Sequence, residues 1–155
     1  MTHEMWVATG TPGFQWVEAG LAHGLVNGVN RGRSFFWAER NSFGSYAEHF
    51  VQNVSLSTTY VTKISYSGSG SWGIYLNGSQ VGGTSHNHGA SAQRLDTGLE
   101  AHTSDALVTA TSTELQKRLG DNSTWNYDWP GSIVQTEGAQ AGWGTYGKSM
   151  WDKLN

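Results

Sequence analysis

Trp72-Gly73-Ile74-Tyr75-Leu76-Asn77-Gly78-Ser79-Gln80-Val81 is the stretch that decides the class of this chain. Asn-Gly between two short apolar runs is a strong local signal for a tight hairpin, because both residues take positive φ at little cost. Ahead of it, residues 56–66 alternate β-branched or aromatic residues with polar ones, as a half-buried strand does. Ser67-Gly68-Ser69-Gly70-Ser71 joins the two as a short linker. Gly68-x-Gly70-x-x-Gly73 matches the spacing of a dinucleotide fingerprint, but that fingerprint opens a helix and this one opens a hairpin.

The same pattern extends outward. Residues 6–9 form a strand that stops at the turn Gly10-Thr11-Pro12-Gly13, and residues 14–20 form the next. A glycine-rich loop covers 24–32. Strands at 34–40 and 46–52 flank the turn Asn41-Ser42-Phe43-Gly44. After the hairpin, 82–92 is a polar loop and 97–103 a strand. Residues 106–119 carry both a capping-box pattern at Thr111 and Glu114 and a strand-like run, and a strand over 112–118 is expected. Later strands fall at 124–129 and 132–135, and 138–155 is an irregular tail. Short strands punctuated every 8–12 residues predict an antiparallel β-sandwich, concanavalin A-like or jelly-roll, in one domain spanning 1–155.

Composition supports this. Glycine supplies 21 of 155 residues, and only 14% are charged, against a typical ~25%. Gly, Ser and Thr are poor helix formers, which argues against a bundle. Eight tryptophans and two prolines argue against disorder. A net charge of −3 gives no electrostatic footprint for nucleic acid, and no apolar run is long enough for a membrane helix. With no cysteine there is neither disulfide nor thiol nucleophile. Met1-Thr2-His3-Glu4 carries no signal-peptide pattern. The expected source is a mature secreted domain, bacterial in character, begun with an added methionine.

His86 and His88 share a loop but have no third ligand nearby, so a solvated polar loop is expected, and no metal or other cofactor. The carboxylates are more informative, because strand interiors disfavour Asp and Glu. Glu18, Glu39, Glu48 and Glu100 all lie in strand-like runs of a chain with twelve acidic residues. Period two puts Trp16, Glu18 and Gly20 on one face, and Trp37 with Glu39 on one face. If those faces line the concave side of one sheet, carboxylates and indoles form a groove. The plain alternative is that each glutamate points to solvent.

Val17-Glu18-Ala19-Gly20, a glycine/asparagine loop and then Phe35-Phe36-Trp37-Ala38-Glu39 resemble the glutamic peptidases. The neprosin-type branch has a similar Glu-Ala-Gly strand and aromatic strand, and the fungal branch has Gln-x-Gly followed by Trp-x-Glu. A later glutamate in that fold has its counterpart in order at Gly98-Leu99-Glu100-Ala101. The late Tyr-x-Ala-Glu-Trp motif of the fungal enzymes is absent. The resemblance spans about residues 14–118 and implies that Glu18 and Glu100 are the catalytic pair. It also implies that Trp37, Glu39 and Trp16 contact a polypeptide substrate. Such a site works in acid: two close carboxyls share a proton, one serving as base on water while its partner protonates the leaving amine. Gln15, Gln52 and Gln116 are all open as amide donors to the oxyanion.

Two other classes fit the composition. A carbohydrate-binding module would stack polysaccharide on Trp72, Trp125, Trp129 or Trp143, and a carboxylate-pair glycosidase is its catalytic variant. A structural or assembly protein would use the low-charge, Gly/Ser-rich surface for packing.

Overall fold

The computed structural model describes residues 1–10, 15–26, 29–100, 108–113, 115–118, 139–146 and 148–154. Two compact units divide the chain, Met1–Glu100 and Ala101–Asn155. The described residues are all strand, turn and loop, and the architecture is an antiparallel β-sandwich. Among them no helix is long and apolar enough to cross a membrane.

In the first unit, β1 (Thr2–Ala8), β2 (Trp16–Val26), β3 (Val29–Arg40) and β4 (Tyr46–Asn53) come first in the chain. β5 (Thr62–Gly68), β6 (Ser71–Leu76) and β7 (Ser79–Gly83) follow, and then β8 (Arg94–Glu100). One sheet has the order β4-β3-β2-β1-β8 and the other β5-β6-β7. The β6–β7 turn is the Asn-Gly hairpin read from the sequence, with φ of 49° at Asn77 and 85° at Gly78. The loop expected at 24–32 is instead a continuation of β2 and β3. Leu25 pairs with Asn30 and Val26 with Val29 after a bulge between His23 and Leu25. The strand expected to begin at 56 begins at Thr62, and the 97–103 strand is centred earlier, at 94–100.

Alternation explains the packing. Cross-strand partners project to the same face. Val7, Val17, Ala19, Phe35 and Trp37 form one wall of a core whose other wall is Ile64, Trp72, Ile74 and Leu76 from the smaller sheet. Trp72 is therefore a core residue, and its indole donates to the Gly89 carbonyl at 3.0 Å.

The second unit contains β9 (Val108–Ser112), β10 (Ala139–Thr145) and β11 (Ser149–Leu154), in the order β10-β11-β9. The expected 112–118 strand thus lies earlier, at 108–112. The stretch expected as an irregular tail carries two strands joined by a hairpin. Its small residues, Gly142 and Gly144, hide the alternation, and pairing across the hairpin overrides weak local preference. The strands expected at 124–129 and 132–135, with Trp125 and Trp129, lie outside the described residues.

Candidate active site

The face of the larger sheet turned away from the core carries a ladder of side chains set by register. One row is Asp96–Trp6–Glu18–Ala38–Glu48. The next is Gly98–Glu4–Gly20–Phe36–Phe50, and the next begins Glu100–Thr2–Ala22. Glu4, Glu18 and Glu100 therefore share a face although they come from three strands.

Glu18 is 6% exposed and is held by three donors. The Trp6 and Trp16 indoles both donate to Oε2, the latter at 3.1 Å, and the Tyr46 hydroxyl donates to Oε1 at 3.2 Å. Tyr46 also reaches Glu48 at 3.4 Å. Burial raises the Glu18 carboxyl, the Trp6 and Tyr46 hydrogen bonds pull it back, and the nearby Glu100 charge raises it again; the net direction is up. The Tyr46 phenol is raised as well, by burial and then by the Glu18 and Glu48 charges.

Glu4 is 4% exposed and accepts one hydroxyl bond, from Thr2 at 2.8 Å. Burial, then the Glu18 charge, then Glu100 push it up to about 9. Its neighbours across both strands are glycines. A Cβ on Gly20 would lie 2.2 Å from the His3 carbonyl oxygen and 2.7 Å from Glu4 Cβ, so the close approach of β1 and β2 at this point requires glycine. Among the described residues a Cβ on Gly98 would meet nothing within 4 Å beside Glu4 on the β8 side.

Trp37 and Glu39 sit on the opposite face, because Glu39 pairs with Val17 and Trp37 with Ala19. They therefore do not join Trp16 and Glu18 in one groove: odd positions on β3 face the core. Trp37 stacks on His49 with ring centroids 4.0 Å apart. Glu39 is fully buried at the end of the sandwich. There it accepts from the Ser85 amide at 2.9 Å, the Ser85 hydroxyl, the His88 Nε2–H at 2.9 Å and the His86 amide at 3.4 Å. Burial alone would raise this carboxyl, but the Ser85 and histidine hydrogen bonds outweigh it and hold it at about 2. His88 is itself 1% exposed, bonded on its other nitrogen to the Thr9 hydroxyl at 3.0 Å. The loop expected to be solvated is instead anchored by a buried histidine, whose polarity is matched by a buried carboxylate 49 residues away. Among the described residues no group of three or more His, Cys, Asp or Glu is arranged to hold a metal ion.

Gln15 donates to the Asn87 carbonyl at 3.2 Å, and Gln52 pairs with Phe35, a core-facing position. Neither projects to the Glu18 face. The sequence reading missed Glu4, Trp6 and Tyr46. Glu4 and Trp6 were open to detection, because they are alternate positions of the strand recognised only from Trp6 onward.

A fold of this kind, built of antiparallel sheets, has a counterpart among solved structures. The chain is similar to the crystal structure of aspergilloglutamic peptidase from Aspergillus niger, with a TM-score of 0.62 over 99% of this chain and 98% of that one. Sequence identity is 10%, so the likeness is one of fold. No family model and no curated protein matches the sequence.

Proposed function

We propose that this chain is an acid-acting glutamic-type peptidase in which Glu18 and Glu100 activate water against a peptide bond. The observation that carries the reading is their projection from β2 and β8 to one sheet face, close enough for the Glu100 charge to raise Glu18. Glu18 is buried and Glu100 is exposed, so the pair runs from the interior of the ladder to its open side. The Glu100 charge acts on Glu18 across this face, so ionisation of one opposes ionisation of the other, and the reading gives one the role of base on water and the other that of acid toward the leaving amine. Trp16 lines the site and fixes Glu18, while Trp37 and Glu39 support the sheet from behind. The likeness of fold to a glutamic peptidase favours a polypeptide substrate over a polysaccharide. The low-charge, Ser/Thr/Gly-rich composition suits action outside the cell, and the lack of cysteine is compatible with it.

The test is cleavage of casein or a peptide library at about pH 3–5, where a shared carboxyl proton is present. Wild type should cleave, and Glu18→Gln and Glu100→Gln should each lose about a hundredfold or more. Cleavage that survives in both variants, or is absent from the wild type, removes the reading.

A further inference from the structure

The face that carries Glu18 and Glu100 holds a third carboxyl between them. Glu4 projects from β1, the central strand of the three, opposite Gly20 on one side and Gly98 on the other. The bare backbone at Gly20 admits the Glu4 stem, and among the described residues nothing crowds its flank at Gly98 toward β8. Glu100 pairs with Thr2, which sets it diagonally across β1 and β8 from Glu4 on the same face, within reach of a carboxyl–carboxyl hydrogen bond. Two carboxylates have no proton to share, so that bond requires one of the two to be neutral. The environment decides which. Glu4 is 4% exposed and among the described residues accepts only from the Thr2 hydroxyl, whereas Glu100 is exposed to water.

We propose that Glu4 is a positioning residue of the site, which holds a proton and donates it in a hydrogen bond that fixes Glu100 toward Glu18. This rests on reading Glu18 and Glu100 as the working pair. The charged groups on this face and packed against it are consistent with a proton held at Glu4. From β2 comes Glu18. From β8 come Asp96 and Glu100, with Arg94 bound to Asp96 at 2.6 Å. From β3 and β4 come Arg40 over the Trp16 ring, Arg31 over the Phe50 ring, and Glu48. The cations lie against aromatic rings or Asp96, while the carboxylates of Glu18 and Glu100 are those that act on Glu4. The raised Glu4 carboxyl agrees with this placement. Glu18, by contrast, has its oxygens covered by N–H and O–H donors and keeps its orientation without Glu4. The three carboxyls thus divide their work: Glu18 is fixed by aromatic donors, Glu100 by the Glu4 proton.

Three readouts on the full chain test this. Infrared spectra near neutral pH should show a neutral-carboxyl stretch that loses one carboxyl's intensity in Glu4→Gln and is unchanged in Glu39→Gln. In peptide cleavage, Glu4→Ala should lower kcat about tenfold or more with KM held within about twofold. Glu4→Gln, which keeps an N–H donor at the same place, should retain more than about half of kcat. A structural role alone would move stability and leave that contrast between Gln and Ala absent. The proposal is overturned if the band is missing from the wild type or persists in full in Glu4→Gln. It is also overturned if Gln is as impaired as Ala, or if neither variant differs from the wild type. If the wild type cleaves nothing, the peptidase reading fails by itself, and the band still decides whether Glu4 holds the proton.

Discussion

Glu4 and Glu39 sit on strands of the same sheet, are equally hidden from water, and are driven in opposite directions. Glu39, on the core side, collects donors from Ser85, His86 and His88 and is held at about 2. Glu4, on the other side, collects one hydroxyl and two carboxyl neighbours and rises to about 9. Burial acts on both in the same sense, so it does not decide the outcome. What decides is the balance of hydrogen-bond donors against like charge. One carboxylate becomes an anchor that ties the 84–89 loop to β3. The other becomes a proton store. A chain with nine cationic side chains can thus keep a buried anion without a Lys or Arg beside it, using backbone and side-chain N–H groups instead.

The contrast can be broken most severely at its ionised member. Glu39→Ala leaves the buried His88 and the part-buried Ser85 amide without their acceptor. It should cost about 3–5 kcal/mol, read as a fall in the denaturant midpoint at unchanged slope. Next comes the glycine that admits Glu4. Gly20→Ala forces β1 and β2 apart at His3 and should cost about 1–3 kcal/mol by the same measurement.

The pH dependence sharpens the comparison, because the two signs differ. Glu39 lies below its ordinary 4.5, so its contribution is complete above 4.5 and is lost as pH falls toward 2. Glu4 lies above its ordinary 4.5, so its contribution is complete below 4.5 and is lost as pH rises toward 9. Melting curves across pH should therefore show Glu4→Gln gaining on the wild type between those limits, by up to about 1.4 kcal/mol per pH unit. Glu39→Gln should show its deficit shrinking in acid. Parallel curves for both variants would mean that the two carboxyls do not differ as described. The smallest effect is expected at Tyr46→Phe, which removes one donor to Glu18 and should cost about 1 kcal/mol. Because that donor holds the Glu18 carboxyl down, the variant should titrate higher, as a carbon-13 NMR titration of the glutamates would show.

Several elements could be read from the chain alone because their cause is local. The Asn77-Gly78 hairpin, the Asn41–Gly44 turn and the alternation in β2, β3 and β5 all depend on neighbouring residues. From them the antiparallel sandwich follows, and so does the singling out of Glu18, whose flanking Trp16 and Gly20 share its face. Period two also places Glu39 with Trp37, but it cannot say which side of β3 meets which side of β2. That is a matter of register, and here Val17 opposite Glu39 sends Glu39 into the core. Glu4 and Glu100 meet only because β1 lies between β2 and β8, strands from opposite ends of the first unit. His88 reaches Glu39 only because the 84–89 loop folds back over the sheet ends. Local chemistry determined strands, turns and the kinds of side chain available. Tertiary pairing decided which carboxyls share a face, and so which one keeps its proton.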